Sequence, residues 1–476
     1  YLERIVMRKV YFAEIRSSWR AWLGVSLVFV TINASLTMTA MTYWTGYVAT
    51  QEGKLDWLES AYYTVSQILI ALFILLVALP VISSATGLVV DSRRGALARL
   101  ALAGATPHQV RSTITSQLIA VSLASASVGA VIAVAFTRSW ITFTAIENAD
   151  ETGFVLLEPV VSMIPILFAT ALCVLASIVA GFRQANAASR IPPVEALRLS
   201  QAPAQRPRLT WGGWLKAMLL LLVVAASWVS VNFQVQNVYK ETVSNLFLIS
   251  YAQIFLWAAL LSVIAPVLVR PITRTWTRLV PISSPAWILA RSTVSARADR
   301  LYKSVVPVMF TFTIGVGALV LGNSGMRTIS IYMDMPDLEP PTLTSYAYLF
   351  GLPLIIAFAA GAASLIMMSK QRDAELALVA IVGATPAQRV TAPVLEALII
   401  TVTALLLSVI AVVPSIGFQA YAFIAAGLPW TAEFPWGVLT AIFTGGLILT
   451  AMATVLPTLP SLRLPEPRVI ARLIAE

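Results

Sequence analysis

Ten apolar segments, each long enough to cross a bilayer, divide this sequence at nearly regular intervals. A helix needs about 20 apolar residues to span a hydrocarbon core of ~30 Å, so each segment predicts one transmembrane helix. With 58% hydrophobic and 11% charged residues, the chain also lies outside the composition of soluble globular domains. We therefore predict an all-α integral membrane protein, with spans near residues 22–44, 62–90, 111–136, 160–180, 211–231, 247–268, 304–322, 346–368, 390–413 and 436–456.

The basic residues predict the orientation of these spans. With the amino terminus inside, the outer loops contain only Lys54, Arg138, Lys240 and Arg327 of the 32 Lys and Arg residues. Cytoplasmic loops carry an excess of such residues, so both termini are predicted to be cytoplasmic. The net charge of +10 then reflects topology and requires no nucleic-acid partner. The longest outer loop, residues 137–159, is too short for a large extracytoplasmic domain.

A repeated tetrapeptide predicts two sharp helical corners. Glycine suits the left-handed position that ends a helix, and threonine and proline suit the next helix's N-cap and first turn. Gln109 or Gln388 would complete a capping box in each copy. Two ordinary cytoplasmic turns are the alternative interpretation. The copies, 279 positions apart, are Gly104-Ala105-Thr106-Pro107 and Gly383-Ala384-Thr385-Pro386.

The corners also predict how the chain is organised. Each falls between the second and third spans of a four-span set that begins inside, so the sets are parallel repeats. We predict a first repeat over residues 1–200, a two-span connector over 201–284 and a second repeat over 285–476. Each repeat is expected to begin with an amphipathic helix on the inner membrane surface, near residues 1–20 and 285–303.

Few other residues in the sequence suggest a role in nucleotide binding, substrate contact or proton transfer. The only Gly-Lys pair, Gly53-Lys54, is followed by Leu55, so no phosphate-binding loop is present. Tyr and Trp residues at the outer span ends predict interfacial belts, although they could also contact an amphiphile. Glu396 is the clearest intramembrane acid and could carry protons or pair with a nearby cation; Gln117, at the equivalent position of the first repeat, is expected to hydrogen-bond between helices.

The residues around the first corner resemble the signature of FtsX-like permeases, the membrane subunits of ABC transporters of the macrolide-exporter and lipoprotein-releasing types. Glu396 matches an early glutamate in the span after the family's corner, whereas Gln117 departs from it. The ten-span layout is similar to that of permeases for antimicrobial-peptide detoxification. The residues that carry the resemblance are Arg93-Arg94 and Leu97-Ala98-Arg99-Leu100-Ala101-Leu102-Ala103, followed by Gly104-Ala105-Thr106-Pro107 and Gln109.

This resemblance implies that the segments before the corners are coupling helices, which dock in a groove of a cytoplasmic ATPase. Each would present an apolar ridge with a polar flank; packing of the ridge against the protein's own spans is the alternative. The implied coupling residues are Arg93, Arg94, Leu97, Leu100 and Leu102 with Gly104, Ala105, Thr106 and Pro107, and Arg372, Glu375, Leu376, Val379 and Ile381 with Gly383, Ala384, Thr385 and Pro386.

The resemblance further implies a transporter subunit of the bacterial cytoplasmic membrane that is not itself an enzyme. ATP and Mg²⁺ would be bound by the ATPase partner, present in two copies, and this chain would need no cofactor or metal. The expected function is export or extraction of a hydrophobic or amphipathic molecule such as a lipid, peptide or drug-like compound. The alternatives are force transmission to an extracytoplasmic or additional membrane partner, and ion-coupled secondary transport.

Overall fold

The computed structural model describes residues 19–93, 97, 100–152, 156–189, 209–235, 240–296, 298–335, 341–367, 380–381 and 383–456. These residues form helices and connecting turns, and none of them lies in a β-strand. The long helices are α1 (Trp19–Gln51), α2 (Trp57–Ser92), α3 (Pro107–Thr152), α4 (Met163–Ala188), α5 (Trp211–Gln234), α6 (Lys240–Leu279), α7 (Pro285–Ala296), α8 (Ala298–Tyr332), α9 (Leu343–Met367), α10 (Pro386–Ala425) and α11 (Trp436–Val455).

The ten predicted spans are confirmed. Ten of these helices, all except α7, are long and apolar enough to cross a membrane. Helix α7 begins the predicted second surface helix. The predicted surface helix near residues 1–20 lies, apart from Trp19 and Arg20, outside the described residues. So do residues 190–208, at the junction of the first repeat and the connector, and residues 457–476, at the end of the second repeat.

The predicted outer segment over residues 137–159 is helical for most of its length, because residues 137–152 continue helix α3. The side chains that hold this extension recur every four residues. Thr137 is buried and donates a hydrogen bond to the Ala133 carbonyl over 2.6 Å. Ile141, one turn further, is buried in a cluster with Ala49, Tyr63 and Leu157. A four-residue apolar period buries one helical face, and here it outweighs the polar residues on the exposed face.

Helices α1 to α4, together with Leu343–Ala363 of α9, form one compact unit with α1 at its centre. Helix α1 packs against α2, α3 and α4. Its approach to α3 is close at Gly129, where an added Cβ would lie 2.7 Å from the carbonyl oxygen of Val30. Small residues allow such approaches in membranes, where van der Waals packing and hydrogen bonds hold helices together. One such bond joins Asn33 Nδ2 of α1 to Thr170 Oγ1 of α4 over 3.4 Å.

Helices α5 to α8, α10, α11 and the remainder of α9 form the second compact unit. Helix α8 is its core: 83% of its apolar window is buried, mainly against α6 and α10. Gln419 of α10 donates to the carbonyl of Leu321 in α8 over 2.8 Å. Short helix α7 lies against α10, and its buried Trp287 packs edge-on against Trp276 of α6.

The two sequence copies pair their helices similarly, with one difference. The first and third spans of each copy pack closely together, as α1 with α3 and as α8 with α10. In the first copy the second span, α2, packs closely on the first, whereas most of its counterpart α9 belongs to the first unit. The division into two repeats and a connector remains a prediction from the sequence.

Candidate functional site

The first corner has the backbone geometry that its sequence predicts. Gly104 has φ = +92°, in the left-handed region. The amide of Ala105 donates to the carbonyl of Leu100 over 3.1 Å and closes the preceding helical turn. Thr106 and Gln109 then form a reciprocal cap: the Thr106 amide donates to Gln109 Oε1 over 2.8 Å, and the Gln109 amide donates to Thr106 Oγ1 over 3.3 Å. The corner therefore satisfies its backbone groups with its own side chains.

The second corner repeats this geometry. Gly383 has φ = +104°, and its amide donates to the carbonyl of Ala380 over 3.0 Å. The Thr385 amide donates to Gln388 Oε1 over 3.0 Å, and the Gln388 amide donates to Thr385 Oγ1 over 3.3 Å. Helix α10 then begins at Pro386, as α3 begins at Pro107. The predicted helix stop, cap and restart are thus confirmed at both corners.

Substitution of Gly104 by Ala should destabilise the corner through backbone strain alone. A Cβ at this position would have no heavy atom within 4 Å, so the cost is that of a left-handed non-glycine residue, about 1–2 kcal/mol. Thermal unfolding of the purified chain in detergent should show a lower Tm. Gly417→Ala in helix α10 is the matched control, because it also has open space around it but lies in a helix. An equal decrease in Tm for both variants would show that left-handed backbone strain at Gly104 is not the cause.

The exposed apolar group of the first corner is Leu102. Leu97 is only 3% exposed and packs with Val90, Val110, Ile114 and Ala185, with Leu100 partly buried against the same cluster. Leu102 is 49% exposed and lies two residues before Gly104. The structure thus assigns the inner part of the predicted ridge to packing within the first unit, which was the alternative interpretation, and leaves its last residue accessible.

The second corner presents an equivalent residue. Ile381, which corresponds to Leu102 in the repeat, is 62% exposed and also lies two residues before the corner glycine. Among the described residues, each corner therefore exposes one large apolar side chain next to a fixed turn. Predicted coupling residues that lie outside the described part of the chain are Arg94, Arg372, Glu375, Leu376 and Val379.

Arg93 attaches the first corner to the helices of its unit. It is buried, and its Nη1 donates to Gln117 Oε1 of α3 over 2.7 Å. The guanidinium group also lies 5.7 Å from the ring centroid of Trp22 in α1, within the range of a cation–π interaction. One side chain at the end of α2 thus contacts both neighbouring helices and links α2 to α1 and α3.

Gln117 and Glu396 occupy equivalent positions in the two copies. Both are buried, and each lies ten residues after the first residue of its helix, α3 or α10, which is nearly three helical turns beyond the corner. Arg389, two turns closer to the second corner on the same helix, is buried as well. Gln117 does form the predicted interhelical hydrogen bond, with Arg93. Proton transfer by Glu396 remains a prediction.

Trp22, which contacts Arg93, could not be identified from the sequence pattern. It is one of many residues in the first span, and its contact with Arg93 depends on the packing of α1 against α2.

The aromatic residues at the outer span ends differ in their exposure. Trp57 and Trp436 are exposed as in a membrane belt, whereas Tyr63 and Tyr346 are buried within the first unit.

Comparison with known protein families identifies part of the chain. A model described as the FtsX-like permease C-terminal domain matches residues 68–193, which include the first corner and most of helices α2 to α4. No curated protein matches the chain. The matched range agrees with the resemblance seen in the residues from Arg93 to Gln109.

Proposed function

We propose that this FtsX-like permease couples ATP hydrolysis by a separate ATPase to the export or extraction of a hydrophobic or amphipathic molecule. Its family supports the general role of an ABC transporter permease in a membrane. The proposal adds the use of both corners, a pair of ATPase subunits that bind ATP and Mg²⁺, and a lipid-, peptide- or drug-like cargo in the bacterial cytoplasmic membrane.

The observation that carries this proposal is the duplicated corner. Each corner has a capped turn of the same geometry and exposes one large apolar residue, Leu102 or Ile381. An accessible apolar side chain on a rigid turn is suited to insertion into a groove of a partner. Two corners of one kind fit two ATPase subunits. Through Arg93, movement of the first corner would be passed to α1 and α3.

An apolar cargo fits the surface of the described helices. Helices α5 and α11 are largely exposed, with only 17% and 11% of their apolar windows buried. In a membrane these surfaces face lipid, so an amphiphile can reach the protein sideways. The described residues contain no separate extramembrane domain that could enclose a water-soluble cargo.

Force transmission is the second candidate function, and the length of helix α3 favours it. At about 1.5 Å per residue, its 46 residues extend roughly 69 Å, more than twice the ~30 Å hydrocarbon core. Its carboxyl-terminal extension lies at the end of the first unit opposite the corner, which we call the far end. An extracytoplasmic partner could bind there and receive the movement of α3.

Ion-coupled transport has less support. The only buried acid among the described residues is Glu396, about 15 Å along α10 from the second corner. A relay across the membrane would need further ionisable groups deeper in the bundle.

Purification of the tagged full-length chain from the membranes of its own cells tests the proposal. We expect an ABC ATPase to co-purify at about two copies per chain, and its hydrolysis rate to change when the complex is reconstituted in lipid. Mass spectrometry would identify lipids or peptides retained by the complex. A chain that purifies intact without any ATPase under mild detergent conditions would refute the coupling function.

A further inference from the structure

A polar and aromatic cluster joins helices α2, α3 and α9 within the first unit, near its far end. The Tyr348 hydroxyl of α9 lies 2.7 Å from Ser66 Oγ and accepts a hydrogen bond from Gln67 Nε2 over 3.2 Å. The Tyr348 ring also stacks on Trp140 of α3, with a centroid separation of 6.4 Å. We call Ser66, Gln67, Trp140 and Tyr348 the Tyr348 cluster. We propose that it is a lateral gate, which is closed when these contacts are made and opens when the cargo leaves at the far end.

The sparse backbone packing of α9 explains why the interface at the Tyr348 cluster is the one that can open. Helix α9 approaches its neighbours along the backbone at fewer positions than the other described transmembrane helices do. Besides the Tyr348 contacts, Phe350 of α9 stacks on Phe73 of α2 with a centroid separation of 6.2 Å. Hydrogen bonds and ring contacts at side-chain tips can be broken by a small helix displacement, without unpacking a close backbone interface.

The connection of α9 to the second corner supplies a cause for such a displacement. Residues up to Ala363 belong to the first unit and residues from Ser364 to the second, although α9 is one continuous helix through Met367. The chain then leads to the corner at Gly383. A pull on that corner would therefore act on α9 and, through it, on Tyr348. This step depends on the proposed function, because the ATPase supplies the pull.

The cluster also has unused hydrogen-bonding capacity. Gln67 is buried, and its Oε1 has no hydrogen-bond partner among the described residues; the same holds for Trp140 Nε1. Such groups are unfavourable in a low-dielectric environment, so the closed arrangement is incompletely satisfied. The polar headgroup of an amphiphile could donate to Gln67 and accept from Trp140. The cluster would thus contact the headgroup of the departing cargo.

A second polar cluster provides a matched comparison. In the second unit, Thr403 Oγ1 accepts a hydrogen bond from Trp276 Nε1 over 3.0 Å and lies 3.2 Å from Thr273 Oγ1. These residues join α6 and α10, which pack closely along their backbones. A similar set of groups is therefore held in a fixed interface, and its loss should not change the separation of α2 and α9.

Spin-label distance measurements test the gate. Ile68→Cys on α2 and Leu343→Cys on α9 place labels on exposed positions beside the cluster, in a Cys173→Ser background that removes the one native thiol. Double electron–electron resonance is recorded for the full chain in nanodiscs, alone and with its ATPase trapped by ATP and vanadate. We expect a longer-distance population in the trapped complex. Tyr348→Phe, which keeps the ring but removes the hydroxyl, should increase that population about fivefold in the chain alone.

The variants separate failure of the gate from failure of the proposed function. Tyr348→Phe is measured without the ATPase, so its shift supports the gate even if no ATPase binds. Ser66→Ala should give a smaller shift in the same direction, and Thr403→Val should give none. The gate is refuted if Tyr348→Phe and Ser66→Ala leave the distances unchanged, or if Thr403→Val shifts them equally. It is also refuted if a complex that hydrolyses ATP shows one distance distribution in every nucleotide state.

Discussion

The double substitution Leu102→Asp and Ile381→Asp is expected to weaken ATPase binding by at least about 100-fold. Each change places a charge where an exposed apolar side chain would enter the partner's groove, and loss of one such anchor commonly costs about 2 kcal/mol or more. Binding of the ATPase to the permease in nanodiscs, measured by interferometry, would give the change in Kd. Folding should be preserved, because both side chains are largely solvent-accessible in this chain.

Met335→Asp is the matched control for this experiment. Met335 is also an exposed large apolar residue, but it follows helix α8 at the end opposite the second corner and should leave ATPase affinity unchanged. The two single variants should each weaken binding if both corners are used. Normal binding by the double variant, or an equal loss with Met335→Asp, would contradict the assignment of the corners as docking sites.

Gly129→Val is expected to cause a large loss of stability in the first unit. The first added carbon would already lie 2.7 Å from the Val30 carbonyl oxygen and 3.0 Å from the Ala34 amide nitrogen. Both contacts are with backbone, so they cannot be relieved by rotation of a side chain. Overpacking of a tight interface costs about 1–3 kcal/mol and can cost more. We expect a lower Tm, and a reduced yield of monodisperse protein, in detergent.

The chain contains a suitable control for the change in Gly129. Gly437 lies at the start of helix α11 with no heavy atom within 4 Å of an added Cβ, so Gly437→Val introduces the same side chain into open space. Gly129→Ala should be intermediate, because it adds the clashing carbon but no branch. If Gly129→Val unfolds at the same temperature as Gly437→Val, helices α1 and α3 are not as closely packed as described.

Two sets of contacts within the first unit suggest how movement of the first corner could reach the proposed gate at the Tyr348 cluster. At the first corner, the Arg93 guanidinium bridges α2 to α1 and α3. At the far end of the same unit, the Tyr348 cluster joins α2 and α3 to α9. Helices α2 and α3 extend between these two sets of contacts and carry a displacement as rigid elements. The Leu102 and Ile381 variants test the first part of this path, and the Tyr348 variant tests the second.

Local sequence was sufficient to predict the corners. A left-handed glycine, a threonine N-cap and a returning glutamine depend on residues no more than five positions apart, so their geometry needs no distant contact. The spans could be predicted for a similar reason, because the length and apolarity of a segment decide whether it can cross a bilayer. The extension of α3 could not, since it depends on Ile141 packing with residues from three other segments.

The sequence by itself determined that this chain has ten membrane helices, two copies of one capped corner, and a resemblance to permeases that act with an ATPase. Tertiary structure alone decided that Leu97 is buried while Leu102 is accessible, that Arg93 bridges three helices, and that Tyr348 meets Ser66 and Gln67. The physical reason is how far apart in the sequence the interacting residues lie. Capping and membrane insertion are governed by neighbouring residues, whereas burial and interhelical hydrogen bonds depend on which helices come together across hundreds of positions in the chain.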